Sequence, residues 1–314
     1  MIVCVAGNPS IDKLFTVERL EFGAIHRPVA FLQVPGGKGL NVARAAHALG
    51  AEVVPACILG GHTGRWVEEA LEAEGLRGRF VRARGETRSS VSVADRETWS
   101  LTEFYEDGTP LEPGDWEALE ACVVELLPGA RWVTLSGSLP PGAPVDGYAR
   151  LVLAAPAAGV ACALDARGPA LAEGLRAGPD LVKVNAAEAG EVLGTTVATE
   201  ADALAAAREL RALAGGRGAA VVTRGEEGAV LVAPDGSAWR GRLYVRGPYP
   251  VGSGDAFLAG MVAALERGED WPAALRLGLG AAAANAEVPG AGRLERARAE
   301  ELAARAEVGP VASG

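Results

Sequence analysis

A chain of 314 residues, 49 % of them hydrophobic, can bury a sizeable core. This excludes intrinsic disorder and fits one large α/β domain or a domain with a small subdomain. A net charge of −10 without any basic block excludes a nucleic-acid binder, and no apolar run reaches the roughly 18 residues of a membrane span.

In chain order, IVCVA at the N-terminus reads as a buried strand. It has no basic region before it and is too short for a secretory signal, so a cytoplasmic protein is expected. FTVERL and RPVAFLQV read as short strands around a turn at 21–26. GLNVARAAHALG has helical apolar spacing and ends at Gly50. EVVPACILG is a strand and GRWVEEALEAEG a helix, followed by a second pair of exposed strands, SSVSVAD and TWSLTEF. A helix capped by Asp115 leads to strand RWVTLSG. Helix 145–158, strand VACALDA, helix 169–176, strand LVKV, helices 186–193 and 201–213, and strand AAVVTRG follow. The remainder reads as helical, over 255–267, 271–286 and 294–305. This alternation predicts a mostly parallel sheet covered on both faces. The two early strand pairs, about 12–35 and 88–105, do not fit it and predict a small β lid on a single domain spanning 1–314.

The four cysteines (Cys4, Cys57, Cys122, Cys162) stand far apart, and the three histidines lack ligand spacing. Buried free thiols are expected, rather than disulfides or a zinc site. The chain holds 27 arginines but only three lysines and four asparagines. Six of those seven scarce residues fall in NPSIDK, GGKGLN and KVNAAE, where a point charge or an amide is hard to replace by an arginine fork.

Four stretches carry chemistry. In VGSGDAF, Gly252, Ser253 and Gly254 precede a helix starting near Asp255. Free N–H groups at a helix N-terminus bind anions, and glycine lets a phosphate approach the backbone. Asp255 reads either as an N-cap or as a carboxylate that takes a proton beside an anion hole, which phosphoryl transfer to a hydroxyl requires. A positive helix end should lower its pKa. A dinucleotide fingerprint fails, because Phe257 stands at the third glycine, and no P-loop is present. In VPGGKGLN, Gly37, Lys38 and Asn41 offer donors to a polyol or phosphate, or simply make a strand-to-helix turn. In KVNAAE, Asn185 and Glu188 share a helix face and suit hydrated Mg²⁺, or form an ordinary capping box. In TRGEEGA, a nucleotide could lie on the backbone from Thr223 to Gly228, or the stretch is a plain hairpin.

In this order the stretches resemble the ribokinase-like (PfkB) carbohydrate kinases along nearly the whole chain. PGGKGLNVARAAHALG and YPVGSGDAFLAGM carry most of the resemblance, with NPSID, ETRSSVSV, LSGSLPPG, KVNAAE and TRGEEGA between and before them. The hexose-phosphate branch is the most similar. The resemblance implies a three-layer α/β/α fold with a mostly parallel sheet and a small β-sheet lid. It implies Asp255 as base with Gly252, Ser253 and Gly254 as anion hole. Asp12, Gly37, Lys38 and Asn41 would bind sugar, with Arg27 and Arg88 gripping the phosphate already on it and Ser138 near that phosphate. Lys183, Asn185, Thr223, Gly225, Gly228 and Asn285 would bind ATP, and Asn185 with Glu188 would order Mg²⁺. The implied reaction is ATP-dependent phosphorylation of a ketohexose monophosphate, first fructose 1-phosphate, alternatively tagatose 6-phosphate or fructose 6-phosphate. A catalytically inactive binding regulator is the alternative of another class, and a homodimer through the lid strands is a further expectation. The chain departs from the family in reading KVN, LDARG and Ser253 where Lys-Pro-Asn, a Thr-Ser-Gly type turn and alanine are commoner.

Overall fold

The computed structural model describes residues 1–245 and 247–311. The chain begins with β1 (Ile2–Ala6), β2 (Ser10–Val17), β3 (Ala30–Gly36), α1 (Lys38–Ala48), β4 (Val53–Gly60), α2 (Gly61–Ala73) and β5 (Arg79–Ala83). It continues through β6 (Arg88–Asp95), β7 (Leu101–Tyr105), α3 (Asp115–Leu126), β8 (Trp132–Ser136), α4 (Gly147–Ala154), β9 (Ala161–Asp165) and α5 (Gly168–Arg176). Then come β10 (Leu181–Asn185), α6 (Ala186–Leu193), α7 (Glu200–Leu213), β11 (Ala219–Thr223), β12 (Ala229–Val232) and β13 (Ala238–Arg242). The last elements are α8 (Ser253–Glu266), α9 (Trp271–Ala286), α10 (Arg296–Arg305) and β14 (Glu307–Pro310).

Ten strands form one sheet in the order β14-β13-β12-β11-β10-β9-β8-β1-β4-β5. From β5 to β11 every pairing is parallel, and β12, β13 and β14 are added antiparallel. β1 shows why both faces are covered. Ile2, Cys4 and Ala6 point into one core with α1, α8, α9 and α10, whereas Val3 and Val5 point into a second with α3, α4, α5 and α7. A strand buried on both faces has no polar face to show, and so its sequence has no alternation. α8 is likewise apolar all round, with Ala256 to Ala264 buried, as expected of a helix enclosed by neighbours. The four cysteines are free and buried. Among the described residues, no helix is long and apolar enough to cross a membrane.

A second sheet of four strands, β3-β2-β6-β7, is built from the two early strand pairs. β2 and β6 are parallel neighbours at its centre, with Ser10 opposite Arg88, so the two segments far apart in sequence join side by side.

Several elements differ from the sequence reading. β5, β13 and β14 were not expected. β5, RFVRA, has no regular alternation and two arginines at the sheet edge, and β14 is four residues that become a strand only by pairing with β13. β2 starts at Ser10 and ends at Val17, so Glu18 to Leu20 lie outside it. Asp115 is not the cap of α3: Gly114, at φ 96°, takes that place, and the Asp115 carboxylate instead accepts the Glu112 N–H at 2.9 Å. Helix 145–158 divides into α4 and a 3₁₀ turn over 155–158, where Pro156 has no N–H to continue the α ladder.

Candidate active site

Parallel strands deliver their following loops to one edge of the sheet, and there the chemistry-bearing residues collect. β9 ends in Asp165, β10 in Asn185 and β11 in Thr223. The ends of β10 and β11, with the N-termini of α1 and α8 and the inner face of the small sheet, enclose a cavity of about 570 Å³, and Asp165 is buried behind Lys38 and Lys183, which line it.

α8 begins at this cavity without a side-chain cap. Its N-cap Gly252 has φ 82°, and a Cβ there would stand 2.6 Å from the Ala291 Cβ, so both backbone strain and space demand glycine. Ser253 N–H donates to Pro250 O and Ala256 N–H to Gly252 O. Of the expected group, the amide of Ser253 is thus engaged, whereas those of Gly252, Gly254 and Asp255, the last two within the helix itself, have no acceptor among the described residues and are left for an anion. Lys183 Nζ reaches the same place: a Cβ on Gly254 would lie 3.0 Å from it.

Asp255 is buried, and its Oδ2 accepts the Asn41 amide N–H at 2.8 Å. Burial is the largest influence on this carboxyl and pushes it up to about 6. Lys38, Lys183 and the Asn41 bond oppose that, and Asp165 adds to it. The expectation of a lowered value therefore fails, because desolvation outweighs the positive helix end.

Beside Asp255 lies an ionic cluster. Asp165, wholly buried, accepts Lys38 Nζ at 2.9 Å and Lys183 Nζ at 2.7 Å, and Lys38 also donates to Glu188 Oε1 at 3.0 Å. Burial works against both charges, yet the two ammonium groups hold Asp165 below the usual carboxylate range, and Asp165, Asp255 and Glu188 hold Lys38 above the usual ammonium range. Sequence reasoning missed Asp165. Its only signal was its place in LDARG at the end of a buried strand, where an uncapped aspartate has no structural purpose.

Asn185 and Glu188 form a reciprocal capping box at the start of α6 while also lining the cavity, so the two readings of KVNAAE coincide. Among the described residues, no group of three or more His, Cys, Asp or Glu could hold a metal. One carboxylate and one amide oxygen suit a hydrated Mg²⁺ that takes its other ligands from phosphates and water, and not a cage made by protein alone. Thr223, Gly225 and Gly228 line the opposite end, and nothing lies within 4 Å of where a Cβ on Gly225 would stand. An apolar wall of Leu243, Val245, Leu279, Ala282, Ala283 and Ala286 completes this end. Sequence reasoning missed this wall too, because small apolar residues on a helix look the same whether they face a core or a ligand.

The residues expected to bind sugar, Asp12, Gly37, Lys38, Asn41 and Arg88, also line the cavity. Ser10 Oγ donates to Asp12 at 2.6 Å. Arg88 donates to Asn8 O, Ser90 Oγ and Glu106 O, and Asn8 in turn donates to Ser138 Oγ at 3.4 Å, so Ser138 stands behind Arg88 and outside the cavity lining. Burial holds the Arg88 guanidinium below its ordinary value, and the charge of Arg167 acts in the same direction.

Besides Ser138, two expected residues are not brought to the cavity. Arg27 is exposed on the connection between β2 and β3 and does not line it. Asn285 is wholly buried in α9. Its amide donates to Val251 O at 2.9 Å and Ser253 Oγ at 3.3 Å and accepts Gly292 N–H at 2.8 Å. With its donors directed at the loop before α8 and its acceptor at Gly292, it braces these segments and does not line the cavity.

Comparison with known proteins agrees with this geometry. The family model described as pfkB family carbohydrate kinase matches residues 2–297. The chain is 36 % identical over 284 residues to a 1-phosphofructokinase of Rhodobacter capsulatus, covering 88 % of this chain and 87 % of that one. It is 29 % identical over 267 residues to a tagatose-6-phosphate kinase of Staphylococcus epidermidis, covering 84 % and 85 %. The crystal structure of phosphofructokinase-2 from Escherichia coli in complex with potassium matches with a TM-score of 0.89 at 26 % identity, over 97 % of this chain and 98 % of that one.

Proposed function

This chain belongs to the pfkB family of carbohydrate kinases, with the ribokinase-like α/β fold, and from that premise we propose that it converts fructose 1-phosphate and ATP to fructose 1,6-bisphosphate and ADP. The observation that carries the reading is one cavity holding a buried carboxylate beside two free helix amides at one end and a guanidinium at the other.

ATP lies with its base against the Leu279–Ala286 wall and its phosphates over Thr223 to Gly228, toward the amides of Gly254 and Asp255 and toward Lys183. Mg²⁺, held through Asn185 and Glu188, supplies charge neutralisation on the phosphates when bound. The sugar lies against Gly37, Lys38, Asn41 and Asp12, with its existing phosphate toward Arg88. Arg27 does not reach this end within one chain, so we assign the grip on that phosphate to Arg88. The free hydroxyl oxygen attacks the γ-phosphorus, the bond to the β–γ bridging oxygen breaks, and the hydroxyl proton passes to the free oxygen of Asp255. The charge of the transferring group falls on the two helix amides and Lys183. The small sheet acts as a lid that excludes water as a competing acceptor, within a single domain.

Identity to the 1-phosphofructokinase exceeds that to the tagatose-6-phosphate kinase, which decides the order of substrates. A coupled ADP-release assay across fructose 1-phosphate, fructose 6-phosphate, tagatose 6-phosphate and free sugars tests it. The highest kcat/KM is expected for fructose 1-phosphate and the lowest for free sugars. A preference for tagatose 6-phosphate replaces the substrate, and no ADP with any sugar replaces the reaction by the binding-regulator alternative.

A further inference from the structure

Arg44 has no part in the reading above, yet it is almost wholly buried, at 6 % exposure, in the middle of α1. A guanidinium has five N–H donors and no acceptor, and burying it is costly unless those donors are used. Its partners come from four places in the chain, one of them, Asn41, in the cavity lining. Nη2 donates to Pro35 O at 2.6 Å, at the end of β3 just before Gly37 and Lys38. Nη1 donates to Ala291 O at 2.9 Å, and Ala291 is the residue packed against Gly252. Nε donates to Glu74 Oε2 at 2.8 Å, at the end of α2. Nη1 also reaches Asn41 Oδ1 at 3.4 Å, one turn back on α1.

The last contact decides an orientation. An amide side chain can present either its oxygen or its NH₂ to a neighbour. Arg44 can only donate, so the Asn41 oxygen must face it, and the Asn41 NH₂ is then turned to Asp255 Oδ2 at 2.8 Å. With its oxygen toward Asp255, Asn41 would offer a lone pair to a carboxylate.

We propose that Arg44 is a positioning residue: it fixes the Asn41 amide so that one oxygen of Asp255 is permanently engaged and the other is left for the substrate hydroxyl, and it ties the Lys38 turn and the Gly252 loop to the same helix. The inference rests on the reading of Asp255 as base. It differs from a merely structural strut in its consequence, because losing the Asn41 bond removes a group that favours ionised Asp255. The charged groups that also act on Asp255 are Lys38 from α1, Asp165 from β9 and Lys183 from β10, and none of these is a partner of Arg44.

The test is the pH profile of kcat/KM for the sugar phosphate in Arg44→Met and Arg44→Lys, with Asn41→Ala, the double variant Asn41→Ala/Arg44→Met and Asp255→Asn alongside. Folding is checked by circular dichroism. Arg44→Met is expected to lower kcat by roughly 10- to 100-fold with the KM for ATP little changed, and to move the acid limb upward by about half a unit to one unit. Arg44→Lys keeps a cation but a single ammonium cannot serve all four acceptors, so a smaller shift in the same direction is expected. In the Asn41→Ala background, Arg44→Met should move the limb no further. A wild-type acid limb in whichever Arg44 variant folds overturns the inference, as do independent, additive shifts. If Asp255→Asn also retains turnover, the base assignment itself has failed; if only the Arg44 variants are unchanged, the failure is confined to Arg44.

Discussion

Asp255 is held between opposing influences, and its behaviour depends on which is stronger. Burial raises its pKa to about 6, and the cationic neighbours reduce the shift without cancelling it. Two outcomes follow. For catalysis the base must be ionised, so kcat/KM should fall as pH drops through about 6, and Asp255→Asn should lose at least ~10³-fold in kcat while nucleotide still binds. For stability, a carboxyl whose folded pKa lies above its unfolded value favours folding when protonated, and that contribution is lost as pH rises through the folded pKa. Ionised Asp255 therefore weakens the fold at neutral pH. Asp255→Asn should raise the melting temperature at pH 8, by an amount worth about 1–3 kcal/mol, and the difference should shrink toward pH 4. A variant equally stable at both pH values would show that Asp255 is not desolvated in solution. Neither effect was legible in the sequence, where a helix N-terminus argued for the opposite shift. Burial comes from remote elements packed on α8, among them α1, whose Asn41 meets the Asp255 carboxylate, and no local pattern encodes that.

At the scale of elements, the start of α8 concentrates the demands. Its amides can meet an anion only if the chain enters the helix through a left-handed residue at 252, packed against Ala291. Gly252→Ala adds a Cβ at φ 82° and 2.6 Å from the Ala291 Cβ, so the loop must shift. The expected result is a loss of about 1–3 kcal/mol in stability and a kcat reduced by roughly 100-fold or more, since misplacement by an ångström is enough. Denaturant melts and single-turnover kinetics check it, and unchanged kcat would detach this loop from the chemistry. The helices and buried strands were largely readable because periodicity and flanking glycines are local properties: α6 and α9 begin and end where expected. β5, β13 and β14 were not, because strands at or next to a sheet edge are defined by the neighbours they pair with more than by their own residues. Asn285 shows the same limit in a side chain. Its region and rarity pointed to a ligand, but its partners in space are the backbone of Val251 and Gly292.

At the scale of the whole molecule, the small sheet leaves its outer surface unusually apolar. Phe31 on the edge strand β3 stacks at 4.9 Å on Phe15, and Phe31 and Phe104, on the face turned away from the cavity, are both more than half exposed. Such a surface on a sheet with a free edge is costly to leave in water, which supports the proposal that two lids pair in a homodimer. Light scattering should then give twice the 32.1 kDa of one chain. Phe31→Asp should reduce this to one chain and weaken sugar-phosphate binding; a monomeric wild type would reject the pairing. By itself the sequence determined the α/β layering, the separate strand pairs, the family and most residues of the cavity, because strand burial, helix periodicity and glycine-framed turns are written in consecutive residues. Only the tertiary structure decided which of the singled-out residues act together. Lys38, Asp165, Lys183 and Glu188 become one ionic cluster, Asn41 becomes the partner of Asp255 across 214 positions, and Arg27, Ser138 and Asn285 fall outside the cavity. The reason is physical: charge pairing, desolvation and the direction of a hydrogen bond depend on distance in space, and the parallel sheet sets that distance by bringing the ends of remote strands to one edge.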